Sequence, residues 1–244
     1  MNKNARTLSD LNRGGGSSWG ASGGSQGGAE NGVLRCMMIV FPGFGVRTTT
    51  FRYMVVCAIV FAAMTLVHIL RPGYEWHCIE YDFGAKQTWA ITKEGQVWRL
   101  VLPALLHDGL LHLFWNTFSM FMVGFVVERS FLTTHDYGVM LLLGAVGGNL
   151  ASAVMRPYSL AVGASGPIWA VFGAFGVYIW MRYERLGDDT LRILCVCLIL
   201  FAFSLMNAMA SNSVDMWAHI GGLFVGVVMG ARYLVAETPA DAAK

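Results

Sequence analysis

Charge is scarce in this chain. Of 244 residues, 13% are charged and 55% hydrophobic, and the mean hydropathy is +0.53. Soluble domains carry about 25% charged residues. That excludes a water-soluble globule and points to a multi-spanning membrane protein, of a length that suits one bundle. The net charge of +2 is too small to argue for nucleic acid, and no basic cluster interleaved with aromatics occurs. Cysteine is sparse too. Cys36, Cys57, Cys78, Cys195 and Cys197 form an odd, scattered set with neither a disulfide framework nor zinc spacing. Cys195 and Cys197 stand two apart in an apolar segment and so face different directions. No HExxH string occurs, and no metal and no cofactor is expected. No apolar h-region follows the first basic residues, so no signal peptide is expected. The glycines there would also break the amphipathic helix of a mitochondrial presequence.

Residues 1–32 hold nine glycines among Ser and Asn and cannot bury a core. Val33 to Val46 is apolar, but Pro42, Gly43 and Gly45 interrupt it, and it reads as interfacial. Residues 1–50 are therefore expected to be a disordered cytoplasmic tail with a short interfacial segment. Six spans follow, at Phe51–Leu70, about Leu106–Val127, Tyr137–Met155, Ser165–Met181, Leu191–Met209 and Asp215–Val235. The predicted fold is an all-α polytopic bundle over residues 51–235, with a short tail at 236–244. Arg71–Leu105 is a long first loop. Its aromatic residues Tyr74, Trp76, Tyr81, Trp89 and Trp98 suit the headgroup zone.

With the amino terminus inside, twelve Lys and Arg face the cytoplasm and five the outside. That excess favours both termini in the cytoplasm. A secretory-pathway or plasma membrane is expected rather than the mitochondrial inner membrane. His112, Ser165 and His219 then all fall near the outer ends of their spans. Polar groups at such depth are costly and need a reason.

Gly163-Ala164-Ser165-Gly166 runs into the fourth span, with Pro167 suited to its first turn. Ser165 then lies at a helix start, where free N–H groups could serve an oxyanion. The plain alternative is a serine that only caps the helix. Gly-x-Ser-x-Gly, the elbow of soluble hydrolases, is absent because Pro167 stands two after the serine. His219 lies near the start of the sixth span. Gly222, Gly226 and Gly230 recur every four residues there, which lets another backbone approach. Alternatively His219 is a histidine at the end of a packed helix. Asp215, one turn before it, reads as an ordinary dipole partner. His112 and Asn116 are i, i+4 on one helix face and offer neutral donors; His107 does not share that face closely.

Four motifs in order resemble the rhomboid family of intramembrane serine proteases. They are Trp98-Arg99; His107 with His112-x-x-x-Asn116; Gly163-Ala164-Ser165-Gly166; and Ala218-His219-Ile220-Gly221-Gly222. They cover about residues 95–230. The resemblance implies Ser165 as nucleophile and His219 as general base, a dyad without a catalytic acid. It implies His112, Asn116 and the Ser165 N–H as the oxyanion site, and a single-span membrane protein as substrate within the lipid bilayer. The family often has tyrosine four residues after the nucleophile; Trp169 stands there and keeps the ability to stack on the histidine. Gly163, Trp169 and Gly222 are expected to shape the substrate path or its packing. Oligomeric state is left open. The alternatives are a catalytically silent client-binding relative and a small transporter. The second is disfavoured by the lack of internal repeats and of charged residues near the middle of any span.

Overall fold

Thr48 starts the first span. Its hydroxyl accepts from the Phe51 N–H at 3.3 Å, satisfying one of the free donors at a helix start. The computed structural model describes residues 47–130, 133–182, 198 and 214–237. Helix α1 is Thr49–Leu70, α2 is Trp76–Phe83 and α3 is Thr88–Glu94. Two 3-10 turns follow, Val97–Leu100 and Leu102–Leu105. Then come α4 (Leu110–Ser130), α5 (Thr134–Met155), α6 (Ser165–Arg182) and α7 (Met216–Glu237). No strand occurs among the described residues, only one isolated antiparallel bridge between Lys86 and Ala161.

The all-α polytopic bundle is present, and five of the six predicted spans are helices at about their predicted places. The fifth, Leu191–Met209, lies outside the described residues apart from Leu198, as do the tail through residue 46 and residues 238–244. Helices α1, α4 and α5 are long and apolar enough to cross a membrane. The apolar stretches of α6 and α7 are shorter, Ser165–Trp180 and Met216–Arg232. The second span begins later than its hydropathy suggested, at Leu110 rather than Leu106. Gly109 at φ +131° breaks the helix there, which leaves His107 in the connecting turn.

Helix α6 packs against α4, α5 and α7 and forms the centre of the described bundle. Met120, Val123, Tyr137, Met140, Val171 and Phe175 fill the core around it. Between apolar helices in lipid the hydrophobic effect gives no drive, so close packing of small residues takes its place. The α6–α7 contact is of that kind. A Cβ on Gly226 would overlap the Ala170 carbonyl oxygen, and one on Gly173 the Leu223 carbonyl oxygen.

Helix α1 lies at the edge of the described bundle, with little of its apolar surface buried. Its first turn is tied down by Glu128 of α4. Thr49 and Thr50 N–H donate to the carboxylate at 2.7 and 2.9 Å, and the Thr50 hydroxyl donates at 2.8 Å. A carboxylate at a helix N-terminus meets free N–H groups and the positive dipole end together.

The first loop is built rather than slack. Arg99 is buried, and its Nη1 donates to the carbonyls of Tyr81 and Ala85, both at 2.8 Å. Its guanidinium also lies 4.1 Å from the centre of the Tyr81 ring. Met64, Ile79, Ala85 and Leu106 form a second core beneath. Trp89 and Trp98 stay exposed on the outside, as an interfacial loop requires.

Candidate active site

Gly163 sets the approach to α6. Its φ is +133°, a conformation that favours glycine, and its N–H donates to the Pro103 carbonyl at 2.9 Å. A side chain there is excluded a second time by its neighbours. A Cβ would lie 2.9 Å from both Cε1 and Nε2 of His112, and 3.8 Å from Ser165 Oγ. The imidazole edge of His112 and the hydroxyl of Ser165 therefore both lie beside the space that a Gly163 side chain would take. Ser165 is the first residue of α6, and the Ala164 carbonyl accepts from the Ile168 N–H at 3.1 Å. The first N–H groups of that helix have no intrahelical partner.

His112 stands in the first turn of α4. Its Nδ1 accepts from the Asp108 N–H at 3.4 Å. In the neutral ring, that bond leaves Nε2, the nitrogen beside Gly163, to carry the hydrogen. Asn116 sits one turn deeper and is buried. One of its amide hydrogens goes to the His112 carbonyl at 3.1 Å, so the other remains to donate. His107 is wholly buried and packs edge-on against His112, with centroids 5.2 Å apart.

His219 is in the first turn of α7 and 4% exposed. Its ring stacks on Trp169, at 5.0 Å between centroids and 17° between planes. Trp169 is one turn beyond Ser165, so this stack lays the histidine along the serine's helix. Asp215 does not orient the imidazole. Its Oδ1 accepts from the Ala218 N–H at 3.3 Å and its Oδ2 from the Ser152 hydroxyl. It is the helix cap, and His219 Nδ1 is buried with no hydrogen-bond partner among the described residues.

Gly222 and Gly166 pack backbone to backbone. Helix α5, predicted as the third span but given no part in the site, completes this junction. A Cβ on Gly148 would lie 2.7 Å from the Ala218 oxygen and 3.3 Å from Gly166 Cα. Its signal was legible in the four-residue spacing of Gly144 and Gly148. Glu75, His77 and Cys78 hold their ligand atoms within 4.8 Å of one another at the start of α2. They come from four consecutive residues at a helix end whose dipole opposes a cation, and none belongs to the site.

A family model for the rhomboid domain matches residues 94–236, more than half of the chain and every residue of this site. The chain belongs to the rhomboid family. It is similar to Rhomboid-like protease 1 of Toxoplasma gondii, 31% identical over 212 residues, which are 82% of this chain and 68% of that protein. It is also similar to the putative rhomboid protease YdcA of Bacillus subtilis, 34% identical over 139 residues, 55% of this chain and 66% of the relative. Rhomboid protease GluP of the same organism is 33% identical over 149 residues, 61% of this chain and 28% of the relative. This rhomboid, with its apolar helices, is an integral membrane protein.

Proposed function

We propose that this rhomboid is an intramembrane serine endopeptidase that uses Ser165 and His219 as a dyad. The observation that carries the reading is the stack of His219 on Trp169, one turn from Ser165 on the same helix. The lack of a partner for His219 Nδ1 among the described residues and the capping role of Asp215 support two members rather than three.

In this reading Ser165 Oγ attacks the scissile carbonyl as its proton passes to His219. The tetrahedral oxyanion takes hydrogen bonds from His112 Nε2, the free Asn116 amide hydrogen and the Ser165 N–H. Preorganised neutral donors in a water-poor site are worth far more than in water. His219 then protonates the leaving amine, and water attacks the acyl-enzyme with His219 as base.

The substrate is a single-span membrane protein. A helical backbone has its carbonyls in hydrogen bonds, so the cleaved segment must unwind. Gly, Ser or Pro at that place lowers the cost of unwinding. His112, Ser165 and His219 all lie in the first turns of α4, α6 and α7, so the site is at one end of the bundle. The Lys and Arg distribution supports an orientation with that end outside and both termini in the cytoplasm.

The test is cleavage of a reporter with a helix-weakened span, reconstituted with the purified protein in vesicles. Cleavage by the wild type and none by Ser165→Ala supports the reading. Equal cleavage by both contradicts it. No cleavage by either, together with no Ser165-dependent labelling by a fluorophosphonate, favours a silent client-binding rhomboid. Protease protection of terminal epitope tags tests the orientation, and imaging a tagged copy tests the secretory or plasma-membrane assignment.

A further inference from the structure

Lys86 has no exposed surface, although it lies in the turn between α2 and α3. Its Nζ donates to the Arg156 carbonyl at 3.1 Å, the Ser159 carbonyl at 3.0 Å and the Ser159 hydroxyl at 2.9 Å. Three donors meet three acceptors, and all three acceptors lie in the segment that joins α5 to α6. The main chain joins there too. Lys86 N–H donates to the Ala161 carbonyl at 2.9 Å, and Ala161 N–H donates to the Lys86 carbonyl at 3.1 Å. Two residues on, Gly163 is held by Pro103. The stretch that delivers Ser165 thus hangs on the first loop.

The same stretch reaches the histidine's helix. Arg156 Nη1 donates to the Val214 carbonyl at 3.2 Å, next to Asp215, the cap of α7. Among the described residues, the carboxylate of Asp215 at the start of α7 and the guanidinium of Arg156 are the charged groups that act on Lys86; the two carbonyls and the hydroxyl that its ammonium touches are neutral. Burial lowers the ammonium from 10.5 to about 8. Asp215 opposes that shift and Arg156 adds to it.

We propose that Lys86 is a positioning residue for the reaction, its ammonium fixing the 156–163 segment and so the placement of Ser165 relative to His219. The inference rests on the reading of those two residues as the dyad. A folded-state value below 10.5 means that the charge opposes folding, so this group's contribution to stability increases as pH rises through about 8. Activity moves the other way. A neutral amine has two hydrogens for three acceptors, and the clamp loosens.

The experiment compares full-length wild type and Lys86→Met across pH 6–10. It measures reporter cleavage, Ser165-dependent fluorophosphonate labelling and thermal unfolding. Lys86→Met is expected to fold but to unfold at a somewhat lower temperature, because it leaves the Arg156 and Ser159 acceptors without their donor; the kcat and pH readouts separate positioning from this loss. Its kcat should fall roughly 10–100-fold with KM little changed, the size of effect a misplacement near 1 Å produces. The alkaline loss of wild-type activity near pH 8 should be missing from its profile. Wild-type kcat with the same alkaline limb in Lys86→Met would overturn the proposal. If Lys86→Met does not fold, Ser159→Ala removes one acceptor and keeps the charge. A lowered kcat with the alkaline limb retained then supports the clamp, and an unchanged kcat overturns it. Failure of the dyad reading is separate: it shows as wild-type labelling that does not depend on Ser165, and it removes both.

Discussion

Gly222 of α7 lies so close to Gly166 of α6 that a Cβ on Gly222 would overlap the Gly166 carbonyl oxygen. Gly166 follows Ser165 and Gly222 is three residues beyond His219, so this contact sets the spacing of the two helices at the site. Gly222→Ala is expected to force them apart, and Gly222→Val more so. Overpacking of this kind costs about 1–3 kcal/mol in stability. A shift near 1 Å costs about 100-fold in rate. The check is kcat for reporter cleavage beside a melting curve. A folded Gly222→Val protein of full activity would mean that the glycine stripe does not set the register.

Asn116 spends one amide hydrogen on its own helix and keeps one free. Asn116→Ala is expected to lower kcat roughly 10–1000-fold, to leave KM near its wild-type value and to unfold at a similar temperature. His112→Ala should act in the same way. Loss of stability in place of kcat would assign Asn116 to packing.

Glu128 holds the start of α1 through the N–H groups of Thr49 and Thr50. In Glu128→Ala these donors and the Thr50 hydroxyl lose their acceptor. The expected loss is about 1–3 kcal/mol of stability, with turnover at low temperature close to wild type. Thermal unfolding in detergent measures it. An unchanged midpoint would show that α1 is held by other contacts.

Glu80 in α2 is buried, and this burial, followed by the negative charge of Asp108, raises its carboxyl from 4.5 to about 7. The folded state therefore favours the protonated form. The resulting stability is complete below about pH 4.5 and is lost as pH rises through about 7. The wild-type melting temperature should fall across that window, and Glu80→Gln should flatten the fall. Equal slopes in the two proteins would remove Glu80 from the account.

The spans were legible because runs near twenty apolar residues have few other uses, and the glycine stripe of α7 was legible from its four-residue period. Ser165, His219, His112 and Asn116 stood out because polar groups in apolar helices are rare. What stayed hidden was polar burial outside the spans. Arg99 and Lys86 counted as outer-loop charges, yet both are buried, and their partners are mainly backbone carbonyls that carry no side-chain signature. The start of α4 was hidden because it depends on the backbone angle of Gly109 rather than on hydropathy. The capping role of Asp215 could be guessed from its place one turn before His219, but its partner Ser152 lies 63 residues away.

The central claim is that Ser165 is a nucleophile activated by His219. A fluorophosphonate probe reacts with such a serine and needs no knowledge of the substrate. Wild type, Ser165→Ala and His219→Ala are purified, matched for folding by their melting curves and exposed to the probe. The account predicts covalent labelling of the wild type, none of Ser165→Ala, and labelling of His219→Ala slowed by at least about 100-fold, the loss of a general base. Equal labelling of wild type and Ser165→Ala, or of wild type and His219→Ala, would contradict it.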